Sequence, residues 1–332
     1  MTIESFIHSI LETLLPSSKM PHSVRHEPTP LEIVKDNNME GKLLGKWAVI
    51  TGSSSATGIE IVRALAATGL RLILPVPNQA KAIVTLGDAY NPNRMEFVTI
   101  DHASLDSVRE AAKHIISKTE RICLLVCNEA VTPSPDLQLT QDGFEMQFAT
   151  NHLSHFLLFQ LLKPELLAAS RPRFQSRVIM VACQEHRRHG LNERGNYNFE
   201  KGEYDIATAY AQSKTANIYM ANEIERRYGT RGLHALSTNS GRIISGEFQQ
   251  DGGQSLHPNP QLETGGKAVH RVRPQRSGEL SEENGRVKVE ETCPIAQMHF
   301  LGTLKKTCPA LPARNTQTTQ QRRPGCGKTL ST

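Results

Sequence analysis

A tyrosine and a lysine in the segment YAQSK have the residue types and spacing of an acid–base pair. Tyr210 and Lys214 are four residues apart in a stretch of helical character, which places their side chains on one face. A tyrosine with its ordinary pKa of about 10 is a poor base at neutral pH, but a nearby ammonium favours the phenolate and lowers that pKa. The pair therefore predicts a tyrosine that exchanges a proton with a substrate hydroxyl group. The alternative is a surface pair without a function.

A glycine-containing turn has features of a dinucleotide-binding site. In AVITGSSSATGIEIVRAL, an apolar strand ends near Gly52 and a helix follows from Gly58. Glycines let the backbone approach phosphate groups closely, and the first N–H groups of the helix stabilise their charge. The candidate cofactor-binding residues of this turn are Thr51, Gly52, Ser54, Ser55, Thr57, Gly58 and Ile59. The alternative is an ordinary strand-to-helix turn.

Strands and helices alternate from residue 44 onward, and this order would bring both motifs to one edge of a sheet. The predicted strands are KWAVIT, LRLIL, MEFVTID, ICLLVC, RVIMVAC and LHALST. The predicted helices are residues 58–68, 104–117, 143–169 and 207–228. The alternation predicts an α/β fold with a doubly wound parallel sheet. Ligands of such sheets bind at the carboxyl ends of the strands, near the point where the strand order reverses.

The segments on either side of this region differ from it. Residues 1–20 have apolar residues at helical spacing, and residues 21–43 are polar and contain prolines, which predicts an amphipathic helix and a linker. We expect this helix to pack on its own domain, although a membrane surface or a partner is an alternative. After Gly246 the alternation stops. We therefore divide the chain into residues 1–43, a catalytic domain at 44–246 and a poorly ordered tail at 247–332.

Composition excludes several classes of protein. Hydrophobic residues make up 38% and charged residues 21%, as in ordinary soluble proteins. Most of the formal charge of +5 comes from residues after Gly246, where aromatic residues are nearly absent, so a nucleic-acid function is not expected. No stretch reaches the roughly 20 apolar residues of a membrane span. The six cysteines form no zinc-ligand pattern, and we expect free thiols in the cytoplasm.

The motifs resemble those of the short-chain dehydrogenase/reductase family. Thr51, Gly52 and Gly58 match the family's TGxxxGxG motif, with Ala56 in place of the middle glycine. The segments NHLSHFLLFQLLKPELLAAS and YAQSKTANIYMANEIERRYG are very similar to those of fungal members, which resemble retinol dehydrogenases and often serve secondary metabolism. The resemblance covers residues 39–246. It implies a Rossmann-type fold with six recognisable strands, and the family's C-terminal strand is not found after Gly246.

The resemblance also implies roles for four further residues. Asn151 matches an asparagine that supports a water-mediated proton path to the lysine. Cys183 stands where the family has a serine that hydrogen-bonds the substrate oxygen, and a thiol is a weaker donor; an ordinary buried cysteine is the equal alternative. Asp101 matches the residue that contacts the adenine ring, with a capping role at the next helix as the alternative. Asn128 matches a turn beside the cofactor, where the following Glu129 is a departure.

The family implies an oxidoreductase that interconverts a hydrophobic secondary alcohol and a ketone. Tyr210 and Lys214 would contact the cofactor as well as carry the chemistry. The end of the second strand has neither an acid nor a base, and Pro77 stands where relatives that use NADP often have arginine. The choice between NAD and NADP therefore stays open, and the resemblance slightly favours NADP. Relatives often form dimers, so a homodimer is an expectation.

An impaired enzyme is the alternative to an active one. Ala56, Glu129 and Cys183 all depart from the family pattern at positions close to the expected cofactor or substrate. A chain with these residues could be a relic that binds the cofactor weakly and turns over little substrate. The sequence leaves both hypotheses open.

Overall fold

The computed structural model describes residues 29–131, 134–192 and 195–239, and within them six parallel strands form one sheet between layers of helices. The strands are β1 (Trp47–Ile50), β2 (Arg71–Val76), β3 (Met95–Thr99), β4 (Leu124–Cys127), β5 (Ser176–Ala182) and β6 (Leu233–Asn239). The helices are α1 (Pro30–Asp36), α2 (Ala56–Ala67), α3 (Gln79–Leu86), α4 (Leu105–Lys118), α5 (Ser154–Ala169) and α6 (Ile206–Tyr228). The predicted Rossmann-type doubly wound fold is confirmed.

The order of the strands brings three strand ends together. The sheet runs β3-β2-β1-β4-β5-β6, and every neighbouring pair is parallel. The order reverses between β1 and β4, where Ile50 lies opposite Val126. On the next pair, Cys127 lies opposite Met180. The residues that follow β1, β4 and β5 therefore meet at one edge, which is where doubly wound sheets bind ligands.

The central strands are buried on both faces because helices cover the sheet from both sides. Ala48, Val49 and Ile50 of β1 and all four residues of β4 are fully buried. A strand with two buried faces is continuously apolar, whereas a strand with one wet face alternates. The runs WAVI and LLVC follow the first pattern, which explains why they were recognisable in the sequence.

Two short helices were not predicted. α3 begins after Asn78, whose side chain accepts a hydrogen bond from the backbone N–H of Lys81 at 2.9 Å. α1 lies inside the predicted linker. Thr29 and Glu32 form a capping box at its start, and Ile33 is buried in the main core. Both helices are about two turns long, too short for apolar periodicity to mark them, and caps and packing stabilise them.

The long helix predicted at residues 143–169 is divided. It begins as a single turn at Met146–Phe148, widens into a π-helical segment at Ala149–Leu153, and continues as α5. The other predicted helices agree with the structure within about two residues. The N-terminal helix at residues 1–20 and the tail at 247–332, including the position of the family's C-terminal strand, lie outside the described residues. No helix of the described part is long and apolar enough to cross a membrane.

Candidate active site

The hydroxyl of Thr51 joins the ends of β1 and β4. Its oxygen accepts hydrogen bonds from the backbone N–H groups of Asn128 at 3.0 Å and Glu129 at 3.1 Å. It also lies 2.8 Å from Nε2 of His155 on α5. His155 Nδ1 faces the carbonyl oxygen of Asn151 at 3.0 Å and must donate there, so Nε2 is the acceptor for the threonine proton. Thr51 thus fixes the turn after β4 against the turn after β1.

Gly52 and Gly58 close the turn between β1 and α2. Gly52 has a positive φ of +64°, and a Cβ there would lie 2.9 Å from the Glu129 backbone. A Cβ on Gly58 would meet the Gly52 carbonyl oxygen and would lie 2.8 Å from Cα of Ser53. Ser55 caps α2 by accepting from the N–H of Gly58 at 3.1 Å. Both glycines are therefore required by the close approach of backbone to backbone.

The remaining candidates of this turn surround the start of α2. Thr57 is buried, Ser54 and Ile59 are half-buried, and Ala56, the first residue of α2, is exposed. The Ser53 hydroxyl is buried without a hydrogen-bond partner among the described residues. A tight turn, a helix N-terminus and an unpaired hydroxyl suit a dinucleotide phosphate.

Gly58→Ala is expected to destabilise the protein by about 1–3 kcal/mol, because the turn must open to admit the methyl group. Urea unfolding followed by circular dichroism measures this change. Gly190→Ala is the matched control, since a Cβ at Gly190 meets nothing within 4 Å. Equal stability of the Gly58→Ala variant and the control would show that the turn is looser than its backbone contacts indicate.

The predicted acid–base pair lies beside this turn. Tyr210 and Lys214 occupy one face of α6, and Nζ of Lys214 is 5.4 Å from the centre of the Tyr210 ring. Tyr210 is half-buried and shares a side-chain hydrogen bond with the half-buried Cys183, directly after β5. Lys214 is only 2% exposed and donates to the Val181 carbonyl oxygen at 3.3 Å. The structure therefore brings the predicted tyrosine, lysine and cysteine together.

The pKa of Tyr210 is shifted in the direction opposite to that expected from its lysine neighbour. Burial raises it above the ordinary value of 10, and Cys183 and Glu185 raise it further. Burial lowers the pKa of Lys214 to about 8, with Cys183 and Glu129 opposing the shift. Desolvation disfavours the charged form of either group, and at Tyr210 the neighbouring Cys183 and Glu185 act in the same direction. At neutral pH Tyr210 is thus a protonated phenol, able to donate a proton.

Asn151 lies in the π-helical segment and contacts the tyrosine helix. Its Oδ1 accepts from the N–H of Val131 at 3.0 Å, and its Nδ2 donates to the hydroxyl of Ser213 at 3.0 Å. Ser213 in turn donates to the Tyr210 carbonyl oxygen at 2.8 Å. The carbonyl oxygen of Asn151 accepts from Nδ2 of Asn217, which also donates to the Val181 carbonyl oxygen. Asn151 is fully buried and reaches the lysine only through these neighbours.

Two candidates lie at the rim of the site. Asp101, after β3, is exposed, and its Oδ1 accepts from the N–H of Ala103 at 2.8 Å. Ser104, and not Asp101, is the capping residue of α4. Asn128 is half-buried and its Nδ2 donates to the carbonyl oxygen of Gly52 at 3.0 Å. Asn128 therefore supports the turn after β1, whereas the carboxylate of Asp101 faces solvent.

Three buried histidines surround the site from the α5 side. Burial lowers the pKa of His102 and of His152 to about 4 each, and it lowers that of His155 well below the ordinary 6.5. Nδ1 of His152 donates to the side-chain oxygen of Asn217. The side-chain nitrogen of Asn217 in turn donates to the carbonyl oxygen of Asn151. The hydrogen bonds and burial of the three histidines make them packing residues of the core.

These histidines predict a loss of stability in mild acid. Each ring is neutral when folded and binds a proton more readily when unfolded, so the stabilisation is present above about pH 6.5 and is lost as the pH falls toward 4. Each buried ring accounts for up to about 1.4 kcal/mol per pH unit in that window. Urea unfolding at pH 7.5, 6 and 5 measures the slope. His102→Asn keeps a donor for Ser154 and should flatten it, while the exposed His114→Asn should not.

Glu129 is the site residue whose contact the sequence did not predict. It is half-buried after β4, and its carboxylate interacts electrostatically with Lys214. Burial raises the pKa of Glu129, while the N–H of Ala130 and the lysine charge oppose the rise. In the sequence, its position directly after Asn128, at the end of a strand that lies beside the glycine-containing turn, could have indicated that Glu129 belongs to the site.

The region that contains this site is matched by a known family. Residues 46–251, more than half of the chain, match the model described as short chain dehydrogenase. The chain belongs to the short-chain dehydrogenase family. The resemblance stated from the motifs is thereby confirmed.

Two fungal proteins are similar to this short-chain dehydrogenase. The short-chain dehydrogenase/reductase prx1 of Penicillium roqueforti is 44% identical over 218 residues, which cover 66% of this chain and 63% of prx1. The oxidoreductase calI of Penicillium decumbens is 39% identical over 229 residues, covering 67% and 66%. The chain thus spans slightly less than two thirds of the length of these relatives.

A solved structure shares the fold of this short-chain dehydrogenase. The crystal structure of an uncharacterized protein from Mycobacterium Paratuberculosis is 30% identical and superposes with a TM-score of 0.53. The superposition covers 62% of this chain and 72% of that chain. The parallel sheet described above is therefore shared with a solved structure.

Proposed function

We propose that this protein is an NADP- or NAD-dependent oxidoreductase that reduces a hydrophobic ketone to a secondary alcohol. The observation that carries the proposal is the meeting of Tyr210, Lys214 and Cys183 beside the Gly52–Gly58 turn at the carboxyl edge of the sheet. This is a proton donor, a cation and a thiol next to a turn that suits a dinucleotide phosphate. Membership in the family supports the same reaction class.

The roles of the residues follow from their charge states. When bound, the reduced nicotinamide supplies a hydride to the carbonyl carbon. Tyr210, a protonated phenol at neutral pH, donates its proton to the carbonyl oxygen. Lys214, with a pKa of about 8, is charged at that pH and stabilises the phenolate that remains. Cys183 hydrogen-bonds the same oxygen weakly, and Asn151 holds α6 in register through Ser213.

The turn after β1 and the strand ends around it would hold the cofactor. Its phosphates would rest at the start of α2, with Thr51, Gly52, Ser54, Ser55, Thr57, Gly58 and Ile59 around them. Asp101 would meet the adenine, and Asn128 the nearer ribose. The turn after β2 has no acid to repel a 2′-phosphate, and Lys81 lies in the first turn of α3, which favours NADP over NAD.

Fluorescence titration with NADPH and NADH tests this proposal. We expect NADPH to bind in the submillimolar range and more tightly than NADH. Ala56→Gly should bind NADPH more tightly than the natural chain, because it removes the methyl group beside the pyrophosphate position. If neither nucleotide binds the natural chain at millimolar concentration, the proposal is wrong.

A second function, that of an impaired enzyme, is supported by the residues that depart from the family pattern. Cys183 and Ala56 lie at the site, and the carboxylate of Glu129 acts electrostatically on the lysine. These observations favour a short-chain dehydrogenase that binds cofactor and turns over slowly. NADPH binding without measurable reduction of a model ketone would select this function. A role in fungal secondary metabolism, a cytoplasmic location and a homodimer are also part of this proposal. The similarity to prx1 and calI supports its placement among fungal short-chain dehydrogenases.

A further inference from the structure

We propose that Asn217 is a positioning residue of the active site, whose side-chain amide fixes the carbonyl oxygen to which Lys214 donates. The inference rests on the proposed function, in which the lysine ammonium stabilises the phenolate of Tyr210. Asn217 follows Lys214 by three residues on α6, which places both side chains on one face of the helix. It is 1% exposed and acts on the lysine through the backbone of Val181.

The amide of Asn217 joins three segments of the chain. Its Nδ2 donates to the carbonyl oxygen of Val181 on β5 at 3.3 Å and to that of Asn151 in the π-helical segment at 3.0 Å. Its Oδ1 accepts from Nδ1 of His152 at 3.0 Å. The two carbonyl oxygens can only accept, so they must face the NH₂ group, and the amide oxygen is left for the donor. Both ends of the amide are thus engaged in a single orientation.

The Val181 carbonyl oxygen lies where the ladder between β4 and β5 has ended. The last pair of these strands is Cys127 with Met180, so Val181 is one residue past it. Its oxygen accepts from Nδ2 of Asn217 and from Nζ of Lys214, both at 3.3 Å. A carbonyl oxygen has two lone pairs, and each of the two side chains uses one. The direction of this carbonyl is therefore set from α6 and not by β4.

The position of the lysine ammonium follows from this carbonyl. Lys214 is 2% exposed, and within the described ranges the Val181 oxygen is the one hydrogen-bond acceptor of its Nζ. Nζ lies 5.4 Å from the centre of the Tyr210 ring. Without Asn217 the carbonyl loses its second donor and can turn, and the ammonium loses its fixed place beside the phenol. A misplacement of about 1 Å can cost an active site about 10²-fold in rate.

The test measures the order of the Lys214 side chain in the full chain without nucleotide. In protein labelled with ¹³Cε-lysine, the resonance lost in Lys214→Arg identifies Lys214, and ¹³C relaxation gives the order parameter of its Cε group. We expect Asn217→Leu, which keeps a branched side chain and removes every hydrogen bond of the amide, to lower that parameter from the rigid range to below about 0.6. Asn222→Leu, the same substitution at an exposed position of α6, is the matched control and should leave it unchanged.

The same samples distinguish positioning from a purely structural role. A structural role would lower the free energy of unfolding in urea and leave the order of Lys214 unchanged, and that result would overturn the inference. An equal loss of order in Asn222→Leu would overturn it as well. If Asn217→Leu does not fold, Asn217→Ala removes the same hydrogen bonds and the same parameter is measured.

Catalysis provides a second readout of the same variants. With saturating NADPH and a model ketone, Asn217→Leu is expected to lower kcat by about 10²-fold, whereas Asn222→Leu should keep the natural rate. A natural kcat in Asn217→Leu would contradict the inference. The relaxation experiment contains no nucleotide, so failure of NADPH to bind would remove the proposed function and leave the measured order of Lys214 standing.

Discussion

Replacing Tyr210 by phenylalanine is expected to lower kcat for reduction of a model ketone by about 10³-fold. The substitution removes the one hydroxyl on this face of α6 that is placed beside both Cys183 and Lys214. General acid catalysis by a positioned side chain typically contributes about 10²–10⁴-fold, and the phenol is protonated at neutral pH because burial raises its pKa. Steady-state kinetics with saturating NADPH measure the loss.

A matched control separates this loss from a change in α6. Tyr219 lies on the same helix and is exposed, so Tyr219→Phe should retain the natural rate. NADPH binding, measured by fluorescence, should be unchanged or slightly weaker in Tyr210→Phe. If Tyr210→Phe turns over as fast as the natural chain, Tyr210 is not the proton donor. If the natural rate is too low to measure, the same comparison is made in the Cys183→Ser background.

Replacing Cys183 by serine is expected to raise turnover by about 10²-fold. The side chain lies directly after β5 and shares a hydrogen bond with Tyr210, so it stands beside the position of the reacting oxygen. A hydroxyl is a stronger hydrogen-bond donor than a thiol. Loss of one such donor from an active site typically costs about 10²–10³ in rate, and restoring it should recover most of that factor.

The Cys183→Ala variant separates the effect of the added hydroxyl from the effect of a smaller side chain. It removes the thiol without adding a donor, and its kcat should stay at or below that of the natural chain. Both variants are compared by kcat/KM with the same ketone and NADPH. A rate for Cys183→Ser equal to that of Cys183→Ala would mean that residue 183 does not contact the substrate oxygen, and that the cysteine is an ordinary half-buried residue.

The sequence was sufficient for the features that depend on local pattern. A parallel strand covered on both faces is a continuous apolar run, so WAVI and LLVC were recognisable without knowledge of their neighbours. The spacing of Tyr210 and Lys214 fixes their common face wherever a helix forms. The family was recognisable from these motifs. Glycine is required at positions 52 and 58 by close backbone contacts, so the motif is visible in the sequence.

The sequence could not give the short helices or the division of the long one. α1 is a capped helix of seven residues whose Ile33 packs into the main core, and its capping box of Thr29 and Glu32 is too short a local signal to separate it from a polar linker. The π-helical segment places Asn151 against Ser213, a contact between residues 62 positions apart. Such features depend on which surfaces meet, and packing between distant segments decides that.

The acid–base pair shows the same division between sequence and structure. Its residue types and spacing were determined by the sequence, which predicted a lowered pKa for Tyr210 from the lysine alone. The tertiary structure decided the opposite direction, because burial of the phenol and the neighbouring Cys183 and Glu185 all raise that pKa. It also brought Glu129, from the end of β4, toward Lys214 on α6. A charge state depends on desolvation and on every neighbouring charge, and these are fixed only when separate strands and helices have packed together.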